Sequence, residues 1–158
     1  AKCHFCTIWK QKPKVFADTD KSLEVIAHLA NLGLRFITLT GGEPLLHPQM
    51  ERIIECCTEH NIITAILNAD ARLFTKKRID ALKRGGLDVA CISIDHYSDK
   101  VLSESRSIPG LLKHIEKVCK TSLLSKPLRL NPGIVIRIVF FLSTGKGYIF
   151  PLLLEIFI

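Results

Sequence analysis

Three β-rich runs, starting near residues 36, 62 and 89, recur at intervals of 26 and 27 residues, and a helical pattern follows each. This spacing is the rhythm of βαβ units, and it constrains the chain more than any other feature. Strands of a parallel sheet are buried on both faces and read as near-continuous apolar runs. Arg35–Thr40 (RFITLT), Ile62–Leu67 (IITAIL) and Val89–Ile94 (VACISI) have that character. The fold class expected is α/β, with a parallel sheet or partial barrel. Ligands of such folds gather at the carboxyl ends of the strands. The polar residues to inspect are therefore Gly41, Gly42 and Glu43 after the first run, Asn68 after the second, and Ser93 with Asp95 at the end of the third.

The helices between the runs carry recognisable ends. Asp18, Thr19 and Asp20 offer N-caps to a helix with Leu23, Ile26, Ala27 and Ala30 on one face, stopped by Gly33. Pro48 suits a first helical position, with Ile53, Ile54 and Cys57 on the inner face. Thr75 caps a basic helix that carries Ile79 and Leu82 and closes at Gly85-Gly86. A further helix is expected over 109–121. Residues 122–158 differ in character: they hold five charged residues, and 134–142 and 148–158 are strongly apolar. Residues 134–142 read as a fourth buried strand, and the last dozen residues fit no single element. Arg137, Lys146, Pro151 and Glu155 interrupt this tract, so no uncharged run reaches the roughly 18 residues of a membrane helix. The domain division expected is 1–121 and a 122–158 continuation.

Composition narrows the function. The 158 residues include 22 basic and 15 acidic ones, a net charge of +7. The basic residues are scattered, and the densest runs (Lys76, Lys77, Arg78; Lys83, Arg84) fall on the third helix, where a solvated face is the plainer reading. Aromatic residues, 7% of the chain, do not interleave with basic ones, so no nucleic-acid platform is indicated. Six cysteines stand at 3, 6, 56, 57, 91 and 119. The chain opens without the apolar stretch of a secretory signal, so a cytoplasmic, reducing compartment is expected and close cysteine pairs suggest metal or redox chemistry.

Cys3-His-Phe-Cys6 by itself suits half a zinc site, a redox pair, part of an iron–sulfur ligand set or an inert pair. Thr40-Gly-Gly-Glu-Pro44 is a glycine turn at a strand end. Its plain reading is a turn with a solvated Glu; its functional reading is a carboxylate that accepts hydrogen bonds from an ammonium group. Cys91 in a strand and Cys56, Cys57 and Cys119 on helices read as small hydrophobes. His47 reads as a residue of the helix start.

Taken together, a CxxC pair with an aromatic before its second Cys and a strand ending in GGEP 35 residues later resemble the radical S-adenosylmethionine (SAM) superfamily. Asn68, Ser93-Ile-Asp95, and Arg106 with Pro109-Gly110 follow in the order of that family's strand ends. The resemblance covers about residues 1–121. It implies a partial parallel (β/α) barrel, truncated here at both ends, because the family's first CxxxCxxC cysteine would stand four residues before Cys3. It implies Cys3 and Cys6 as ligands of a [4Fe–4S] cluster and Gly41, Gly42, Glu43 and Pro44 around the methionine end of SAM. Asn68, Ser93, Asp95 and Arg106 would line the SAM pocket. The implied chemistry is reductive cleavage of SAM to a 5′-deoxyadenosyl radical that abstracts hydrogen, fed by an electron donor. The substrate, a small molecule or a peptide, is not specified. A truncated module that holds a metal or a partner without catalysis is the rival reading.

Overall fold

The structure, a computed structural model, describes residues 7–12, 15–94, 98–106, 108–124, 135–143 and 149–156. The backbone alone is described at 68, 105, 119, 121–124 and in the last two of these segments. The elements run α1 (Thr19–Asn31), β1 (Phe36–Leu39), α2 (Met50–Glu59), β2 (Ile63–Ala69), α3 (Lys76–Gly85), β3 (Val89–Ile94), α4 (Asp99–Arg106), α5 (Leu111–Leu124), β4 (Val135–Ser143) and β5 (Ile149–Ile156). The strands form one sheet in the order β1-β2-β3-β4-β5. The first four are parallel, with Phe36 opposite Ile63, Ala65 opposite Val89 and Val89 opposite Val135. β5 turns back antiparallel on β4, placing Glu155 opposite Arg137. The described strands form an open sheet of the partial-barrel kind.

Local chemistry explains the ends of α1 and α3. The Asp18 carboxylate accepts the Lys21 N–H at 2.9 Å and starts α1. Thr75 does the same for Arg78 at the head of α3. At its tail Gly86 takes φ +91°, a left-handed angle that costs a Cβ-bearing residue energy. A Cβ there would also lie 2.3 Å from Thr58 Oγ1, which donates to the Gly85 carbonyl at 2.7 Å. That contact locks α2 to the end of α3.

The core has two parts. Ile26 of α1 packs with Ile53, Cys56 and Cys57 of α2 and with Ile62, beneath β1. Ile54, Ile66, Ile79, Leu82, Ile92, Leu102, Ile108 and Leu111 form the larger cluster between the helices and β2–β3. Cys56, Cys57 and Cys91 are buried and form no disulfide, as expected of small core residues, and burial pushes the Cys56 and Cys57 thiols up. The Cys119 side chain lies outside the description.

Several expectations are corrected. Pro48 does not open α2; it stands in a turn two residues before Met50, while Pro44 leads a 3-10 turn, Pro44–Leu46. His47 shapes that turn, its Nδ1 accepting the Gln49 N–H at 3.2 Å, and Gln49 at φ −124° lies outside the helical region, so Met50 opens α2. β2 does not stop at Asn68 but runs to Ala69, because one extra residue is absorbed between Ile66 and Ala69. α4 was not anticipated; 8 residues long, it precedes α5, which begins at Leu111 rather than Pro109. Arg78 does not belong to a solvated face: its guanidinium pairs with Glu51 and donates to the Leu45 carbonyl at 3.0 Å. The 134–142 strand is present as β4, with its burial outside the description, and β5 fills the unassigned end.

Candidate functional site at the strand ends

The carboxyl end of β1 passes into Thr40, Gly41 and Gly42, then into the Pro44–Leu46 turn. Gly41 takes φ +156°, which a residue without Cβ reaches at little cost. Gly42 leaves room for Ile8 instead, since a Cβ on it would lie 2.8 Å from Ile8 Cγ2. Ile8 follows Cys6 by two residues, so the segment after the CxxC pair is seated on the glycine turn.

Glu43 is half-buried and joins two strand ends. Its Oε1 accepts the Leu45 N–H at 3.1 Å, and its Oε2 accepts the Asp70 N–H, just past β2, at 2.8 Å. Burial pushes its carboxyl above the ordinary carboxylate range; the two N–H donors oppose that rise, and the Asp70 charge adds to it. Each oxygen retains an acceptor site beyond its one main-chain partner. A desolvated carboxylate with spare acceptor capacity suits an ammonium donor, so the residues present fit an amino group.

Asp70 and Arg72 back this arrangement. The Asp70 side chain is 6% exposed and accepts from Arg72 at 3.1 Å through Nε and 2.6 Å through the terminal nitrogen. Burial alone would raise its pKa, but the Arg72 guanidinium and main-chain N–H hold the carboxyl below its usual range. The Pro44–Leu46 turn is gripped from outside as well. Arg78 of α3 takes the Leu45 carbonyl, and buried His47 reaches Ala17 at 2.9 Å.

Of the residues singled out from sequence, the structure brings Glu43 to the end of β2, two residues past Asn68. Asn68 lies on the bulge of β2, described by its backbone only. Ser93 is buried inside β3, opposite Val139 of β4, rather than beyond the strand end. Arg106 ends α4 and is half-buried. Pro44 is buried at the first position of its turn. Cys3, Cys6 and Asp95 lie outside the described residues, as do His4 and Phe5. Among the described residues no group of three His, Cys, Asp or Glu is placed to hold a metal ion, and no helix is long and apolar enough to cross a membrane. Sequence reasoning missed Asp70, Arg72 and the grip of Arg78. The Asp-x-Arg after a strand end, an N-cap with a cation two residues on, was the available signal for the first two.

Residues 1–125 match the family model of the radical SAM superfamily. The chain belongs to that superfamily. Among curated proteins it is similar to a GTP 3',8-cyclase of Limosilactobacillus fermentum, 30% identical over 71% of this chain and 34% of the relative. A GTP 3',8-cyclase of Clostridium botulinum is 26% identical over 85% of this chain and 44% of the relative. An AdoMet-dependent heme synthase of Methanosarcina barkeri is 26% identical over 82% and 43%. The chain thus spans less than half the length of these relatives. The two names among them cover different reactions, so membership carries over the fold and the superfamily's general use of iron–sulfur and SAM, and no particular substrate.

Proposed function

We propose that this chain is the N-terminal part of a radical SAM enzyme core, with its cofactor site at the carboxyl ends of β1–β3. The observation that carries the reading is Glu43, a half-buried carboxylate fixed by the N–H groups of Leu45 and Asp70 at the glycine turn. Glu43 would accept the amino group of SAM's methionine end, with the Gly41-Gly42 backbone alongside. Asn68, Ser93, Asp95 and Arg106 are the further candidates for the SAM pocket. Cys3 and Cys6 would supply two thiolates to a [4Fe–4S] cluster, soft ligands suited to iron. When bound, cluster and SAM together supply a carbon radical that takes a hydrogen atom from substrate.

The chain's own part is placement. Ile8 against Gly42 brings the sequence after Cys6 onto the same turn that Glu43 completes. Two main-chain donors hold the Glu43 carboxylate in one orientation, so it has little rotational freedom left to lose on meeting an ammonium group. An electron donor and a substrate belong to the whole protein, and so does a cytoplasmic setting.

The test is anaerobic iron–sulfur reconstitution of this chain and of a longer one with a cysteine four residues before Cys3. Electron paramagnetic resonance of the reduced samples is then compared with and without SAM. A [4Fe–4S] signal in the longer chain that SAM perturbs supports the proposal. No cluster in either, or tight zinc in both, overturns it and leaves a structural metal module.

A further inference from the structure

We infer that His47 is a positioning residue: its imidazole staples the segment that follows the CxxC pair onto the GGEP turn. The inference rests on the functional reading above only for its consequence in SAM binding, since the staple itself is visible in the fold. His47 is 6% exposed, and both of its ring nitrogens are engaged. The Gln49 N–H can only donate, so Nδ1 must accept it at 3.2 Å. The ring proton therefore belongs to Nε2, which donates to the Ala17 carbonyl at 2.9 Å. The neighbouring Phe16 ring meets the imidazole edge to face, with centroids 5.8 Å apart at 84°.

These contacts pin the segment at its far end, just before the Asp18 cap of α1, and Ile8 on Gly42 pins it at its near end. The two anchor points, Gly42 and His47, flank the turn that presents Glu43. One imidazole thus does two separable things. Through Nδ1 it shapes the approach to α2; through Nε2 it holds residues 16–17. Cysteine ligands on a segment free to swing would be misplaced relative to Glu43, and misplacement of about 1 Å is enough to weaken a positioned site substantially.

Two substitutions separate the roles. His47→Asn puts an acceptor near the Nδ1 position for Gln49 and no longer reaches Ala17. His47→Gln puts a donor near the Nε2 position for Ala17 and gives up the Gln49 bond. Trp9, the chain's single tryptophan, sits beside Ile8 and is 37% exposed, so its acrylamide quenching reports the segment without any cofactor. H47N should raise the Trp9 quenching constant about twofold and, in the cluster-loaded protein, weaken SAM binding about tenfold, the effect of losing one well-placed buried hydrogen bond. H47Q should leave the Trp9 quenching constant at its wild-type value and SAM affinity within about twofold of it. Equal losses in the two variants, or a larger loss in H47Q, would overturn the staple and leave only the helix-start role. If wild type itself fails to bind SAM, the functional reading falls while the Trp9 contrast still decides the staple. Should H47N not fold, Phe16→Ala, on an exposed residue of the segment itself, must raise Trp9 quenching in the same direction, and no change would count against the inference.

Discussion

Replacing Glu43 by Gln keeps the shape of the side chain and changes its hydrogen-bond capacity. Both carboxylate oxygens accept a main-chain N–H, at 3.1 Å and 2.8 Å. Gln offers one acceptor and a donor, so one of these N–H groups meets another donor. A partly buried donor left unsatisfied costs about 1–3 kcal/mol. Gln also removes a charge that burial and the Asp70 carboxylate disfavour, which offsets part of the loss. The expected net destabilisation at neutral pH is about 1 kcal/mol. The pH dependence fixes the sign of the argument. The folded Glu43 carboxyl titrates above its ordinary value of 4.5, so the stability it contributes is full below that pH and is lost as pH rises through the folded value. Gln does not titrate, and Asp70, held below its ordinary 3.8, has already ionised in that window. The penalty of E43Q should therefore shrink as pH rises from 4.5 towards neutrality. Urea unfolding of both proteins at pH 4 to 8 measures it, because subtraction removes every shared group. A penalty that grows with pH would show that the N–H donors outweigh burial, and would refute the reasoning.

Three further outcomes are expected. Gly86→Ala combines a left-handed φ of +91° with a Cβ 2.3 Å from Thr58 Oγ1 and should cost about 2–4 kcal/mol by thermal unfolding; adding Thr58→Ala should recover part of that loss. Arg78→Ala leaves Glu51 and the Leu45 carbonyl without their shared partner and should cost about 1–3 kcal/mol in urea, with Arg78→Lys intermediate. Ile54→Ala empties a fully buried position between α2 and the sheet and should cost about 2–5 kcal/mol. A value below about 1 kcal/mol would mean that α2 is less tightly packed than described.

The sequence revealed what repeats and what ends. Three parallel strands, the caps at Asp18 and Thr75 and the glycine stop at Gly86 follow from periodicity and local hydrogen bonding, which act over a few residues. The start of α2 was misplaced because Pro48 is a favourable local signal that a tertiary contact overrides: His47 turns inward to Ala17, 30 residues away. α4 escaped notice because its 8 residues carry only a short periodic signal. The site divides in the same way. Glu43 was legible from its place after a strand, but its partners Leu45 and Asp70 donate main-chain groups, which every residue type has and no motif advertises. Arg78 looked like one more cation in a basic run until α2 and the turn were folded against it.

The irregular step in β2 has a consequence of its own. Ile66 and Ala69 share one core cluster although they are three residues apart, a separation that strict alternation would place on opposite faces. The extra residue resets the parity inside the strand, so Ala69 returns to the packed layer opposite Ile92 and the next N–H, that of Asp70, meets Glu43. The bulge thus works as a phase correction: Ile66 and Ala69 keep their buried side, and the site is reached from a strand end that is still anchored to β3.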